Sequence, residues 1–255
     1  MNRRKKAILT VGGAILLLSI IFATWLLCPM AVDTDKRCHY IAHACGGIDG
    51  QPYTNSREAL LASLENGFKF IEGDLGFTAD SVLVLMHSEE EFRQMSDMPD
   101  SMELTRDVFC RQKIYGRYTP QTAADVLSLA KQHDFVLVTD KVSDPDLIER
   151  HFSSIRERTM VEAFSISDYK RLKRLGYTPM LSVGRHYSYR GLFTILSDND
   201  IDWIETTVKG YADILFFRVI KRLLHVRVAV FMPEPQSFLK YVGGEIDLMY
   251  VDGLP

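Results

Sequence analysis

Apolar and polar positions change rhythm several times along the chain, most abruptly at the start. Residues 7–32 (AILTVGGAILLLSIIFATWLLCPMAV) carry no charged side chain and follow directly on Arg3, Arg4, Lys5 and Lys6. A helix needs about 20 residues to cross a hydrocarbon core of roughly 30 Å, so this run is long enough. A cleaved leader has a shorter apolar stretch of about 7–15 residues and a small-x-small cleavage site, and no such site precedes Val32. The pattern predicts one uncleaved transmembrane helix over residues 7–32. By the positive-inside rule, residues 1–6 form a cytoplasmic tail, and residues 33–255 lie outside the cytoplasm at the cell membrane.

Beyond residue 33 strand-like runs alternate with amphipathic helical ones. Nine strand candidates stand out: 39–43, 68–75, 81–87, 135–142, 159–165, 178–185, 202–208, 226–232 and 246–253. Between most of them lie helix signals: Ser56 opens SREALLASLENG with Gly67 as its stop, Thr119-Pro120 opens TPQTAADVLSLAKQH, and Ser167 opens SDYKRLKRLG with Gly176 as its stop. Such alternation predicts an α/β fold with a parallel sheet, and its extent suits a (β/α)8 barrel preceded by the membrane helix. Nine candidates for eight slots leave a surplus strand, placed in the pair 68–87, which has no helix between its members. Residues 88–118 lack clear periodicity and read as an insertion over one end of the barrel. An open doubly wound sheet is the competing architecture, but no G-x-G-x-x-G follows the first strand.

Composition narrows the function classes. A formal net charge of -3 over 255 residues gives no basic field suited to nucleic acid. Of the four cysteines, Cys28 lies in the apolar run, leaving Cys38, Cys45 and Cys110. An oxidising compartment permits one disulfide among them, and the sequence leaves the pairing open.

Candidate chemistry sits at the C-terminal ends of the strand candidates, where barrel sites are built. Read in order, those ends carry His43, Glu72 with Asp74, His87, and Asp140 with Lys141. Side chains two apart on a strand share a face, so Glu72 and Asp74 repel unless a positive group lies between them. Clustered carboxylates suit a hard divalent cation, Mg²⁺ or Ca²⁺. Two histidines suit acid–base work near neutral pH. A cation, two imidazoles and a lysine together suit phosphoryl chemistry.

The stretches IAHACGGIDG (41–50) and YTNSREALLASLENGFKFIEGDLGFTADSVLVLMH (53–87) resemble the opening of the glycerophosphodiester phosphodiesterase family. That family carries His-Arg-Gly, Pro-Glu-Asn-Thr, Glu-x-Asp, Thr-x-Asp-Gly and a terminal His-Asp. His43 matches its first histidine, Asn55 its asparagine, Glu72 and Asp74 its metal-binding pair, Thr78 and Asp80 its turn, and His87 its second histidine. Weaker echoes continue in 161–183 and in IDLMYVDGLP (246–255). The resemblance implies a (β/α)8 barrel that cleaves a glycerophosphodiester, a lipid headgroup diester or a surface-polymer diester with one divalent cation. It implies His43 and His87 as catalytic residues, Glu72, Asp74 and Asp140 as metal ligands, and Lys141 and Asn55 as substrate contacts.

Two family positions are replaced. Ala44 stands where the family has a phosphate-binding Arg, and Ser88 stands where it has Asp. These losses raise a competing reading, a membrane-tethered module that binds phosphate without turnover; Arg185 or Arg190 could supply the missing guanidinium. The family's Glu-x-Lys becomes Thr139-Asp140-Lys141, whose adjacent residues serve one site only if the strand end is bulged.

Overall fold

A parallel strand covered on both faces needs apolar residues in nearly every position, and runs such as VRVAVFM (226–232) come close to that demand. The computed structural model describes residues 3–254 apart from 34, 185–186 and 232–234; side chains are described from residue 11 onward, except also at 36, 235 and 236. After a helix α1 (Arg3–Leu27) the elements are β1 (Tyr40–Ala42), α2 (Arg57–Glu65), β2 (Phe70–Phe77), β3 (Leu83–Leu85), α3 (Glu89–Met95), α4 (Arg106–Arg111), α5 (Ala123–Gln132), β4 (Val136–Asp140) and α6 (Pro145–Phe152). There follow β5 (Thr159–Ala163), α7 (Ile166–Leu175), β6 (Thr178–Ser182), α8 (Tyr189–Asn199), β7 (Trp203–Thr207), α9 (Tyr211–Leu224), β8 (Arg227–Phe231) and β9 (Leu248–Val251). A 3-10 turn over Pro235–Tyr241 takes the helix position between β8 and β9.

The strands run in the order β1-β9-β8-β7-β6-β5-β4-β2, and β1 pairs back onto β2, closing an eight-stranded parallel barrel. This is the expected (β/α)8 architecture, and the open sheet is excluded. β3 is the surplus strand. It lies antiparallel on Leu75–Phe77, beyond the Phe70–Asp74 segment that pairs with β4, so the hairpin rises from the C-terminal rim. The inside of the barrel is filled by Ile41, Val138, Met160, Met180, Trp203, Ala229, Leu248 and Tyr250. Period-two alternation then fixes which later residues face the mouth: Glu72 and Asp74 after Phe70, Asp140 after Val138, Glu162 after Met160, and Glu205 after Trp203.

Three expectations shift in detail. Residues 88–118 form α3 and α4, which fold over β3 around their own apolar cluster, Val84, Met86, Phe92, Met98, Leu104, Phe109, Ile114 and Tyr118. α5 starts at Ala123 and not at Thr119, because Thr122 and Asp125 form a reciprocal capping box, while Thr119 is held by the Glu58 carboxylate at 2.7 and 2.8 Å. Likewise α7 is capped by Ser165, not Ser167, with Gly176 closing it at φ 91° as expected.

The bounds of the expected apolar span shift further. α1 ends at Leu27, so Cys28–Val32 is not helical and leads on to the barrel. Among the described residues no helix is long and apolar enough to cross a membrane; the first part of the expected span, residues 7–10, lies outside the described side chains. All four cysteines are free.

The insertion's cluster is anchored by the Phe92 and Phe109 rings, stacked with centroids 4.5 Å apart. Phe109→Ala is expected to cost about 3–5 kcal/mol, read as a fall in the urea midpoint; a loss under about 1 kcal/mol would show that the insertion does not share the barrel's cooperative unfolding.

Candidate active site

The mouth of the barrel holds a cavity of about 390 Å³, lined by His43, Tyr53, Glu72, Asp74, His87, Asp140, Lys141, Glu162, Phe164, Ser182, Glu205, Phe231 and Tyr250. Six of the seven expected site residues therefore meet in one place. The seventh, Asn55, is placed otherwise. It is 1% exposed, and its amide is fully engaged with Asp74, donating to Oδ2 at 2.9 Å and accepting from the Asp74 backbone N–H at 3.1 Å. Asn55 positions the Asp74 carboxylate and does not line the cavity.

Glu72, Asp74 and Asp140 each present an oxygen within 4.8 Å of the others. Glu72 Oε2 accepts from the Ala44 backbone N–H at 2.6 Å, while Glu72 Oε1 is buried without a partner. Burial, reinforced by Asp74, pushes the Glu72 carboxyl well above the usual carboxylate range, and burial also raises Asp74 despite the Asn55 bond. Three hard oxygen donors and one orphaned buried carboxylate oxygen fit a Mg²⁺- or Ca²⁺-sized ion.

The Asp140–Lys141 ambiguity is resolved by the backbone. Lys141 adopts φ 70°, the left-handed region that breaks strand alternation. Asp140 keeps the inward position, and the Lys141 ammonium still turns into the mouth, 3.4 Å from Asp140 Oδ2 and 3.8 Å from Asp74 Oδ1. Burial alone would lower the Lys141 pKa, but Asp140 and Asp74 outweigh it and hold it above its ordinary value. Thr139 points away from the mouth and is fully buried.

The two histidines stand on either side of Tyr53, whose ring centroid is 4.6 Å from that of His43 and 5.7 Å from that of His87. Each has a carboxylate behind Nδ1: Asp252 at 3.0 Å for His43 and Glu91 at 2.7 Å for His87. The Asp252 hydrogen bond orients His43 and leaves its Nε2 for chemistry, whereas the Glu91 carboxylate lies beside His87 Nδ1 without hydrogen-bond geometry. Ser88, in place of the family's Asp, caps α3 by accepting from the Glu91 N–H at 3.2 Å. The helix it starts brings Glu91 to His87. Thr78 and Asp80 form the expected turn, with Asp80 also accepting from the Arg106 N–H at 2.8 Å, which ties the insertion to the rim.

Sequence reading missed Tyr53, Glu91, Glu162 and Glu205. Glu162 accepts from the Tyr250 hydroxyl and Glu205 from the Ser182 hydroxyl at 2.8 Å. Burial, then Glu205, pushes Glu162 well up; burial pushes Glu205 up to about 7. Their signal in the sequence was positional: each sits two residues after an inward-facing core residue. Among the described residues lining the cavity there is no guanidinium; Arg185 lies outside the described residues, and Arg190 is exposed on α8.

No family model and no curated protein matches the chain. Solved structures do. The fold is similar to a glycerophosphodiester phosphodiesterase from Parabacteroides distasonis (TM-score 0.63, 18% identity, 85% of this chain and 93% of that one). It is similar to a second from Agrobacterium tumefaciens (TM-score 0.62, 15% identity, 85% and 96%). A third is an Oleispira antarctica phosphodiesterase in complex with its product sn-glycerol-3-phosphate (TM-score 0.62, 16% identity, 84% and 92%).

Glu205 offers a check on the acidic mouth. Its raised pKa means that folding favours the protonated form, so cation-free stability falls as pH rises from the carboxylate range through about 7. Glu205→Gln is expected to stabilise the cation-free protein at pH 8 by about 1–3 kcal/mol and to change little at pH 4, measured by urea titration. Equal effects at both pH values would mean that this carboxyl is not raised.

Proposed function

We propose that this chain is a membrane-anchored, divalent-cation-dependent phosphodiesterase of the glycerophosphodiester phosphodiesterase family. Its substrate class is a glycerophosphodiester or a related headgroup or polymer diester. The observation that carries the reading is the convergence of Glu72, Asp74, Asp140 and Lys141 between His43 and His87 in one barrel mouth. Fold similarity and the motif order support it. Glu72, Asp74 and Asp140 would hold the cation, which when bound supplies charge neutralisation and polarisation of a phosphoryl oxygen.

The chain's own groups do the rest. Lys141, beside the carboxylates yet partly exposed, pairs with a phosphate oxygen. His43 and His87 share the proton transfers, one taking a proton from the attacking oxygen and the other giving one to the leaving alcohol. Asp252 holds the His43 ring by a hydrogen bond, and the Glu91 carboxylate lies beside His87. Phe231, Tyr250 and Tyr53 pack around His43, with ring centroids 5.0, 6.3 and 4.6 Å away, and limit water on that side.

The competing reading, a binding module without turnover, rests on Ala44. Against it stands the full acid–base and carboxylate set, including a carboxylate restored to His87 from α3.

The anchor belongs to this proposal as well. It is supported by the charge-free run 7–32 after four basic residues, and it places the barrel outside the cytoplasm. N-terminal sequencing of membrane-extracted protein is expected to return the intact start; a chain beginning near residue 30 would reject an uncleaved anchor.

Incubating the full chain with soluble glycerophosphodiesters is expected to release glycerol phosphate, and chelator is expected to stop it. His43→Ala and His87→Ala should each lower kcat by about 10²–10⁴-fold without loss of fold. Added cation at 100 times Kd should stabilise the protein by about 2.7 kcal/mol, and Asp74→Asn should reduce that gain. Turnover insensitive to chelator would remove the cation from the proposal, and binding of diesters without turnover would favour the module.

A further inference from the structure

One buried ion pair has no part in the chemistry above. The Arg218 and Glu245 side chains are each 1% exposed, and Arg218 Nε and Nη2 donate to Glu245 Oε1 at 2.9 and 2.6 Å. Glu245 precedes β9, so it lies at the N-terminal end of the barrel, opposite the cavity. Both partners also grip the chain leaving α1. Arg218 Nη1 donates to the Leu27 carbonyl, and Glu245 Oε1 accepts from the Met30 N–H at 3.1 Å. Three residues later the Asp33 N–H donates to the Gly243 carbonyl at 3.1 Å. Gly243 has φ 83°, and a Cβ there would come within 3.1 Å of Asp33. No slack linker separates α1 from the barrel.

The direction of α1 follows from a second contact. α9 descends from the C-terminal end of β7 to the N-terminal end of β8, so Arg222 lies one helical turn nearer the N-terminal face than Arg218. Arg222 lies over the Trp25 ring at 5.2 Å, whereas Arg218 holds Leu27. Tracing α1 backward from Leu27 to Trp25 therefore moves away from the mouth. Its described side chains before Trp25 are open to solvent, from Val11 at 58% to Leu18 at 65% and Phe22 at 53%, as expected of a helix that leaves the barrel and does not lie along its wall.

We propose that the Arg218–Glu245 clamp, with α1 as the membrane anchor, seats the N-terminal face of the barrel toward the bilayer and turns the catalytic mouth away from it. This rests on the anchor in the preceding reading and narrows its substrate class to phosphodiesters free of the anchoring membrane. Strands of five residues rise about 16 Å, and loops at both ends add to that. A lipid phosphodiester of the same bilayer would have to leave the hydrocarbon, losing the burial of both acyl chains, to reach the cation site.

Full-length protein in phosphatidylcholine vesicles tests this. A donor dye is attached through Tyr187→Cys at the mouth or Asp134→Cys at the opposite end, with Cys28→Ser, Cys38→Ser and Cys110→Ser removing the exposed thiols, and energy transfer to a headgroup acceptor is read. Position 134 is expected to lie closer to the bilayer than position 187 by about 15 Å, the rise of one strand. Equal transfer, or stronger transfer from 187, overturns the proposal. Inserting a Gly/Ser linker of about 30 residues after Leu27, with a reach of about 30 Å, should erase the difference; a difference that persists means the clamp does not set the orientation and overturns its role. In the same vesicles soluble glycerophosphocholine should be cleaved at least tenfold faster than headgroup is released from the host lipid, and equal rates also overturn the proposal. Protein that fails to float with the vesicles ends the anchor reading and this inference together. Absence of turnover on both substrates ends the enzymatic reading alone, because the dye distances still report the orientation.

Discussion

Mutual repulsion among three carboxylates governs the mouth of this barrel. Glu72, Asp74 and Asp140 place oxygens within 4.8 Å of one another, and Glu72 and Asp74 are each 1% exposed. Solvent cannot screen charges that close at that depth. Burial raises the Glu72 and Asp74 pKa values, and the neighbouring carboxylates add to it, so without a bound cation the cluster favours shared protons. Glu162 and Glu205 extend the same field across the mouth, and Lys141 is the one ammonium among the described lining residues. Everything else at this end either holds the carboxylates in place or makes use of the charge they attract.

The sequence carried much of this arrangement. Alternation placed Glu72 and Asp74 on one face, and the strand ends placed His43 and His87 at the same rim. What alternation could not deliver was Asp140 with Lys141, since neighbours on a regular strand face opposite ways; the left-handed Lys141 supplies the exception. Glu162 and Glu205 were unreadable for a different reason. TMVEAFS and DWIETTV look like strands whose glutamate points to solvent, and only the closed barrel turns that residue inward. Tyr53, Glu91 and Asp252 come from loops and from α3, where no period constrains direction. The expected boundary of α1 failed at Val32, because an apolar run does not reveal that a buried Arg218–Glu245 pair claims the backbone from Leu27 to Met30.

The two positions that depart from the resembled motifs, Ala44 and Ser88, acquire a physical meaning in the structure. Position 44 is fully buried, and its contribution is a backbone N–H to Glu72 that any residue can provide; an Ala side chain fits beside the carboxylate without adding charge. Ser88 gives up a carboxylate next to His87 but nucleates α3, and the helix returns a carboxylate from Glu91 one turn on. A carboxylate thus lies beside His87, whereas position 44 supplies no guanidinium.

Three of the left-handed non-glycine residues serve these carboxylates. Ala44, Asn55 and Lys141 all adopt positive φ, at 47°, 49° and 70°, a conformation that costs a non-glycine residue roughly 1–2 kcal/mol. Each of the three serves a different acid. Ala44 gives its N–H to Glu72, Asn55 gives its amide to Asp74, and the Lys141 N–H donates to Asp140 Oδ1 at 2.5 Å. Strain of this kind persists only where the surroundings over-determine it. Here they do: the strands beneath are paired on both sides, and a Cβ at neighbouring Gly46 would meet Ser63 Oγ at 2.1 Å, so the turn after β1 has no alternative packing. The carboxylates that are costly to bury together are therefore held by three left-handed residues on a closed barrel, and the charge of a cation bound among them would relieve their repulsion.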